Sequence, residues 1–373
     1  MSPEPDRPRL AISSMEHPPR ELDGELIPPV STHLTIADLA KRLDLSSAAV
    51  SYALNGRPGV SQETRERVQA LARELGWYPS TAAQALSKSR TGSIGIVLSR
   101  DPGMLGTEPY YMQIIAGVES VLTEADMSLT LRMVSPESGA DLAIYSRWAA
   151  ERRVDGVILF DEHVDDPRPA LLERLELPAV LQGGPLHTST IRSVQSDDDA
   201  VARVIVDTFA TLGHKHFIHL TGPLRLVHER RRAAEVGAHA QRRGIRAEWI
   251  EGDYTTPTAR TLIGDRLTSG SATTAIVGSN DLMTIGALRA AEDIGLTIPT
   301  DLSLISWDDS VLCSIACTGI TAVDRHPVEY GARTARALLN LIRGTEIPND
   351  TSNPSQLVLR GSTGPAPGSG ATP

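Results

Sequence analysis

The sequence predicts a two-part molecule. One part is an N-terminal all-α helix-turn-helix head followed by a hinge helix. The other is an α/β body of two doubly wound parallel-sheet lobes. Three observations carry this. Residues 33–90 read as short amphipathic helices separated by caps and breaks. From Ser93 onward, short β-branched runs that are apolar on both faces alternate with helical stretches, as buried parallel strands do. That second region spans about 270 residues, more than one such sheet usually holds, so two lobes are expected.

Each element has a local reason. The first 33 residues carry seven prolines and no sustained period, so residues 1–32 are expected to be a disordered leader. In the head (33–79), Thr35 can cap a helix Ile36–Leu43, whose Ile36, Leu39, Ala40 and Leu43 share a face. Asp44 stands where the turn needs a residue that tolerates positive φ. Ser46 can cap Ser47–Leu54, and Ser61 can cap Gln62–Leu75, which Gly76 closes. Residues 80–92 are the expected hinge helix and linker. In the body (93–364), strands are predicted at Ile94–Leu98, Val154–Phe160, Ala179–Gln182, Phe217–Leu220, Ala275–Gly278, Leu302–Ser306 and Gly319–Val323. Helices are predicted at Ile114–Ala125, Asp199–Leu212, Ala233–Arg243, Asp281–Asp293 and Glu329–Ile342. The Gly/Pro/Ser-rich end, residues 365–373, reads as a flexible tail.

Charge and composition exclude several classes. The 373 residues carry a net charge of −10. No run of ~18 apolar residues exists, so no membrane span is expected, and the N-terminus has no apolar signal core. Cys313 and Cys317 are too few for a disulfide scaffold and fit a reducing cytoplasm. The charge is uneven: Ser31–Arg90 holds eight basic and five acidic residues, a net +3 that leaves −13 on the remainder. A basic tip on an acidic body suits phosphate contact at the tip alone. The second helix of the head opens on Ser46, Ser47 and Ala48, with Ser51 and Tyr52 one turn on. Small side chains there let a helix N-terminus enter a major groove; the alternative is a plain three-helix domain with solvated serines.

These residues resemble the lactose-repressor/galactose-repressor family of bacterial transcriptional regulators. The matching pieces are T-I-A-D-L-A at 35–40, A-V-S-Y-A-L-N at 49–55, V-S-x-x-T-R-x-x-V at 60–68 and G-W-Y-P-S-x-x-A-Q-A-L at 76–86. In the body they are V-D-G-V-I-L at 154–159, L-G-H at 212–214, T-G-P at 221–223, S-N-D at 279–281, D-L-S-L-I-S-W-D-D at 301–309 and T-A-V-D-R-H-P at 321–327. The resemblance implies a periplasmic-binding-protein-like body, with an N-lobe of about 93–194 and 323–344 and a C-lobe of about 195–322 and 345–364. It implies base reading by Ser47, Ala48 and Tyr52, and phosphate contact by Thr35, Ser46, Ser51, Asn55 and Thr64. Ala83 and Leu86 match the minor-groove hinge, where a leucine wedge kinks the duplex. Many relatives carry Arg at the position of Tyr52, so bidentate guanine contact is not available there.

In open parallel sheets, ligands bind beyond the carboxyl ends of strands. Tyr110 and Tyr111, Arg230, Asn280 and Asp281, and Asp308 follow predicted strands, and Tyr254 follows the run Ala247–Glu251. By resemblance, Tyr111, Arg230, Tyr254, Asn280 and Asp308 align with effector-contact positions, and Arg325 lies where the chain crosses between lobes. After Gln182, Gly183 and Gly184 replace the Asp-Arg pair common in relatives, which removes a carboxylate that would accept a hydroxyl. His214, His216 and His219 read as loop-to-strand entry, and Cys313 and Cys317 as buried thiols; no metal or cofactor is expected. The expected whole is a cytoplasmic repressor. It binds a pseudo-palindromic double-stranded operator as a homodimer and responds to a small-molecule effector, a sugar by resemblance. A corepressor-dependent repressor, a solute-binding protein and a sugar enzyme are the alternatives. No phosphate loop, nucleophile elbow or acid/base pair supports the enzyme.

Overall fold

The computed structural model describes residues 34–77, 90–100, 102–104, 106–136, 138–184, 191–345 and 353–368. The chain forms two compact units, residues 1–80 and 81–373. The first holds α1 (Ile36–Leu43), α2 (Ser47–Leu54) and α3 (Gln62–Glu74). Thr35 and Asp38 form a reciprocal capping box: the Thr35 hydroxyl accepts the Asp38 N–H, and the Asp38 carboxylate accepts the Thr35 N–H at 2.8 Å. Asp44, at φ 57°, ends α1 in the left-handed region, and its N–H returns to the Ala40 carbonyl. The Ser46 and Ser61 hydroxyls accept the N–H groups of Ala49 and Thr64, each at 3.1 Å. Leu39, Ala40, Val50, Ala53, Val68 and Ala72 form the buried core of this unit. The Trp77 indole N–H donates to the Leu34 carbonyl at 2.8 Å and ties the ends of the described segment together.

The second unit is built on two sheets. The first contains β1 (Ser93–Ser99), β2 (Ser128–Val134), β3 (Gly156–Leu159), β4 (Ala179–Gln182) and β5 (Arg192–Val194), in the order β2-β1-β3-β4-β5 and all parallel. The second contains β6 (His216–Thr221), β7 (Arg246–Glu251), β8 (Ala275–Gly278), β9 (Ser303–Ser306), β10 (Thr321–Asp324) and β11 (Gln356–Val358). Its order is β11-β10-β9-β8-β6-β7, with β11 antiparallel to β10 and the other pairings parallel. Helices cover both faces of each sheet. They are α4 (Pro109–Glu124), α5 (Ala140–Ala150), α6 (Arg168–Arg174), α7 (Asp198–Thr211), α8 (Val227–Arg243), α9 (Thr256–Thr268), α10 (Asp281–Asp293), α11 (Val311–Ile315) and α12 (Pro327–Arg343). On the first sheet, α4 and α12 lie on one face and α5 and α6 on the other. On the second, α9 and α10 oppose α7 and α8.

The chain therefore crosses from the second sheet back to the first between Asp324 and Pro327, because β10 still pairs with β9. That is slightly later than the boundary at 323 expected from sequence. There α12 meets α4 in backbone contact: a Cβ on Gly331 would lie 2.1 Å from the Ile114 carbonyl oxygen. The predicted strand list lacks β2, β5 and β11 and has β7 only as the run Ala247–Glu251 ahead of Tyr254, and the predicted helix list lacks α5, α6, α9 and α11. In β2, an edge strand, only Val134 is buried, so the two-faced apolar signature of inner strands is missing. The helix predicted from Ala233 begins at Val227, since its first two turns carry His228, Glu229, Arg230, Arg231 and Arg232, which hide the apolar period.

Candidate functional site

The head presents α2 outward at its start. Ser47, Ala48 and Tyr52 are exposed, while Val50 and Ala53 face the core. No charged residue lies on α2, so its outer face offers hydroxyls, a methyl and a phenol. These are groups that touch base edges by hydrogen bond or apolar contact. Thr35, Ser46 and Thr64 sit at the N-terminal ends of α1, α2 and α3, where the helix dipole favours a phosphate. The Asn55 amide donates to the Ser51 carbonyl at 2.8 Å, closing the C-terminal end of α2. Exposed Lys41, Arg42, Arg57 and Arg67 supply positive charge on the same small unit. Ala83 and Leu86 lie outside the described residues.

In the body, loops at the carboxyl ends of the two sheets enclose a cavity of about 70 Å³. From the first sheet come Arg100 after β1, Phe160 and Asp161 after β3, and Gln182 and Gly183 at the end of β4. The second sheet contributes Tyr254 after β7, Ser279 and Asn280 after β8, Asp308 after β9 and Arg325 after β10. Glu108, Tyr110 and Tyr111 at the start of α4, Ser196 and Asp198 at the start of α7, His228 and Arg232 of α8, Asp281 of α10 and Tyr330 of α12 complete the wall.

The wall is held by ion pairs. Arg100 Nη1 lies 2.9 Å from Asp161, while its Nη2 donates to the Tyr111 hydroxyl at 2.8 Å; that hydroxyl donates to Asp161 at 2.6 Å. Arg325 donates to Asp308 at 2.7 Å and to the Tyr110 hydroxyl at 3.2 Å. Glu229, fully buried beneath the cavity, accepts four donors: the Gly222 N–H at 2.8 Å, Ser279 Oγ at 2.7 Å, Tyr254 OH at 2.9 Å and Arg232 Nη1 at 3.0 Å. Burial opposes its charge, but the donors, His228 and Arg232 hold its carboxyl well below the usual range. Burial likewise opposes Asp198, yet Arg232, Arg325 and Arg231 hold it at about 2. Two other carboxyls of the wall, Glu108 and Asp281, go the other way. Burial pushes Glu108 up to about 7 against Arg100, and Asp281 up to about 6 with Asp308 adding to the rise. Gly222 is required here: a Cβ on it would lie 2.2 Å from Cζ of Tyr254, whose backbone is itself left-handed at φ 68°.

Of the residues singled out from sequence, Tyr111, Tyr254, Asn280, Asp308 and Arg325 line this cavity. Asn280 also serves the fold, since its side-chain oxygen caps α10 by accepting the Met283 N–H at 2.8 Å. Arg230 does not line the cavity; it is exposed, and its Nε donates to the Leu224 carbonyl at 2.6 Å. The early start of α8 is the reason. Two residues apart on a helix point to nearly opposite sides, so Glu229 and Arg232 face the cleft and Arg230 faces out. Cys317 is exposed rather than buried, because α11 ends at Ile315; Cys313 is buried within the helix. The sequence reading missed Arg100, Glu108, Asp161, Gln182, Asp198 and Arg232. Arg100, Asp161 and Gln182 sit at strand ends, so the carboxyl-end rule applied to every strand would have found them.

Residues 35–80 match the model of bacterial regulatory proteins of the lacI family, and residues 206–363 match that of the periplasmic binding protein-like domain. The chain is 31% identical over 350 residues to the HTH-type transcriptional regulator AglR of Rhizobium meliloti (strain 1021), covering 90% of this chain and 95% of that one. Among solved structures, the lac repressor dimer bound to operator and the anti-inducer ONPF superposes with a TM-score of 0.78 at 27% identity, covering 89% of this chain and 100% of that one. The transcriptional regulator CelR–cellobiose complex superposes at 0.67 and 27% identity, covering 88% and 99%. With a helix-turn-helix head, two parallel-sheet lobes and these likenesses over most of its length, the chain belongs to the lacI family of bacterial regulatory proteins and is a DNA-binding transcriptional regulator.

Proposed function

We propose that the chain is a cytoplasmic homodimeric repressor whose operator affinity is set by a sugar bound in the body. The observation that carries this is the cavity at the facing carboxyl edges of two sheets, on a chain whose other unit exposes a DNA-reading helix. The CelR–cellobiose complex and the operator-bound lac repressor dimer support the two halves of the reading. Ser47, Ala48 and Tyr52 read base edges; Thr35, Ser46, Ser51, Asn55 and Thr64 hold phosphates; Ala83 and Leu86 enter the minor groove. Two reading helices related by a two-fold axis require a pseudo-palindromic site. Val311 and Ile315, 63% and 69% exposed on α11, with Met112 and Val328, offer apolar surface that a second copy would cover.

The cavity is smaller than the ~150 Å³ that takes one six-membered ring, so a sugar enters only when the walls part. Tyr111, Tyr254, Asn280, Asp308 and Arg325 are its proposed contacts, together with Arg232 in place of Arg230. Because binding changes the separation of the lobes, it biases the hinge and so operator affinity, by ~1–3 kcal/mol of coupling, or roughly 5–150-fold. The cleft performs no reaction on its ligand. Its nearest approach to a hydrolase is Ser279, which lies 3.1 Å from His219 Nε2. The serine hydroxyl donates to Glu229 instead, and burial pushes His219 down to about 4. Among the described residues no carboxylate orients that histidine as a base, since its Nδ1 has no partner.

A mobility-shift assay tests the reading. Duplexes selected from random DNA by the full chain should be bound at modest salt, lost on deletion of residues 1–90, and altered in affinity by one member of a sugar panel. A full chain that retains no duplex, with or without sugars, refutes it.

A further inference from the structure

Gln182, the last residue of β4, is 7% exposed and lines the cavity, yet neither Oε1 nor Nε2 of its amide has a partner. A buried amide left so is costly, and the group that satisfies it must come from the cavity.

The charges on the same wall say which kinds of group can enter. Among the described residues, five carboxyl groups line the cavity (Glu108, Asp161, Asp198, Asp281, Asp308), against three arginines and His228, whose Nε2 is held by the Tyr254 hydroxyl at 2.9 Å. Each arginine is ion-paired, Arg100 to Asp161 at 2.9 Å, Arg325 to Asp308 at 2.7 Å and Arg232 to Glu229 at 3.0 Å, so its charge is balanced although its Nε has no hydrogen-bond partner. Asp281 accepts the Ser310 hydroxyl and the Leu282 N–H and has no arginine beside it. Glu108 comes no nearer to Arg100 than 3.5 Å. An entering phosphate or carboxylate would find every arginine already ion-paired and Asp281, a carboxylate without an arginine beside it, facing it. Hydroxyls suit both features, since they donate to the carboxylates and exchange donor and acceptor roles with the amide.

We propose that the effector is a polyhydroxyl compound without an anionic group, and that Gln182 is a specificity-determining contact that reads its hydroxyls. The amide N–H of Gln182 donates to one hydroxyl oxygen and its carbonyl accepts from another. Asp281, with the acidic excess of the wall behind it, rejects phosphorylated and carboxylated analogues by like charge in a poorly solvated site. This rests on the sugar reading above and narrows it.

The experiment titrates the full-length protein calorimetrically with free mono- and disaccharides, and with the 6-phosphate and uronic acid of each. The tightest ligand should be a free sugar, and its two anionic forms should bind at least about 100-fold more weakly. Gln182→Met, nearly isosteric, should weaken that sugar about 10- to 100-fold. It should leave the melting temperature of the unliganded protein unchanged or higher, since it removes an unsatisfied group; a merely structural glutamine would lower it. If the Met variant does not fold, Gln182→Glu replaces it, and the same loss of affinity is expected. A phosphate or uronate that binds as tightly as the free sugar overturns the proposal while the sugar reading stands. Unchanged sugar affinity in the Gln182 variant overturns the role of that residue. Failure of every compound to bind overturns both readings.

Discussion

Glu108 sits just ahead of α4 with no side-chain cap to make, buried against Arg100 at 3.5 Å. Burial first, then Asp161, Asp308 and Asp281, raise its carboxyl from 4.5 to about 7, with Arg100 opposing. Between those two values the folded chain keeps a proton that the unfolded chain has released. Its contribution to stability is therefore full below pH 4.5 and is lost as pH rises through about 7. Asp281, raised to about 6, acts in the same direction. Asp198, held at about 2, has the opposite sign and a separate window: its contribution is present above 3.8 and lost as pH falls through 2. Glu108→Gln should flatten the decline on the alkaline side. Urea unfolding at about pH 8 should find the variant more stable than the native chain, by on the order of 2 kcal/mol. The two should converge at low pH; a variant that tracks the native chain across the whole range rejects an uncharged Glu108 in the folded state.

Helix packing explains two glycines whose replacement should have opposite signs. Gly331 of α12 meets α4 so closely that a Cβ would lie 2.1 Å from the Ile114 carbonyl oxygen, and Gly117 of α4 meets the Val328 carbonyl in the same way. These are backbone atoms and cannot swing aside. Gly331→Ala should therefore cost about 1–3 kcal/mol by overpacking. Gly237, in the middle of α8, has nothing within 4 Å of where a Cβ would be. Gly237→Ala should stabilise by roughly 0.5–1 kcal/mol, by restricting the unfolded chain and favouring the helix. Denaturant midpoints of the two variants check this, and equal shifts would refute the packing account. Element starts were the least legible feature in the sequence. Where the first turn has clear caps, as at Thr35, Ser46 and Ser61, the starts of the head helices are placed to the residue. Where it is packed with charge, as in α8, the start is misplaced by six residues, and Arg230 is taken for Arg232.

Across the whole body, the two lobes touch at more than the cavity wall. The loop after β3 and the loop after β6 form a short antiparallel bridge at His163 and Leu226. The Val164 N–H donates to the Arg225 carbonyl at 3.0 Å, and the Val227 N–H to the Glu162 carbonyl at 2.9 Å. Together with the Arg325 contacts to Asp308 and Tyr110, this clasp closes the cleft. Val164→Pro removes one of the two backbone donors. The unliganded variant should show a larger radius of gyration by small-angle X-ray scattering and faster amide exchange at Val227. An unchanged scattering profile would mean that the clasp does not set lobe separation.

The sequence alone determined what depends on neighbours along the chain. Caps, helical period, the β-α alternation, the basic tip and the rule that ligands sit at strand carboxyl ends all follow from local pattern and backbone geometry. They were enough to predict the fold class and to place Tyr110, Tyr111, Tyr254, Asn280, Asp281 and Asp308 of the cavity wall beyond strand ends, while the family and the place of Arg325 came from the resemblance of its motifs. Only the tertiary structure decided which charges pair, because pairing depends on distances between segments far apart in sequence. Arg100 finds Asp161, Arg325 finds Asp308, Glu229 gathers four donors, and Gln182 is left with none. Those non-local pairings, and the desolvation that comes with them, set the charge balance of the cleft and so the kind of molecule it can hold.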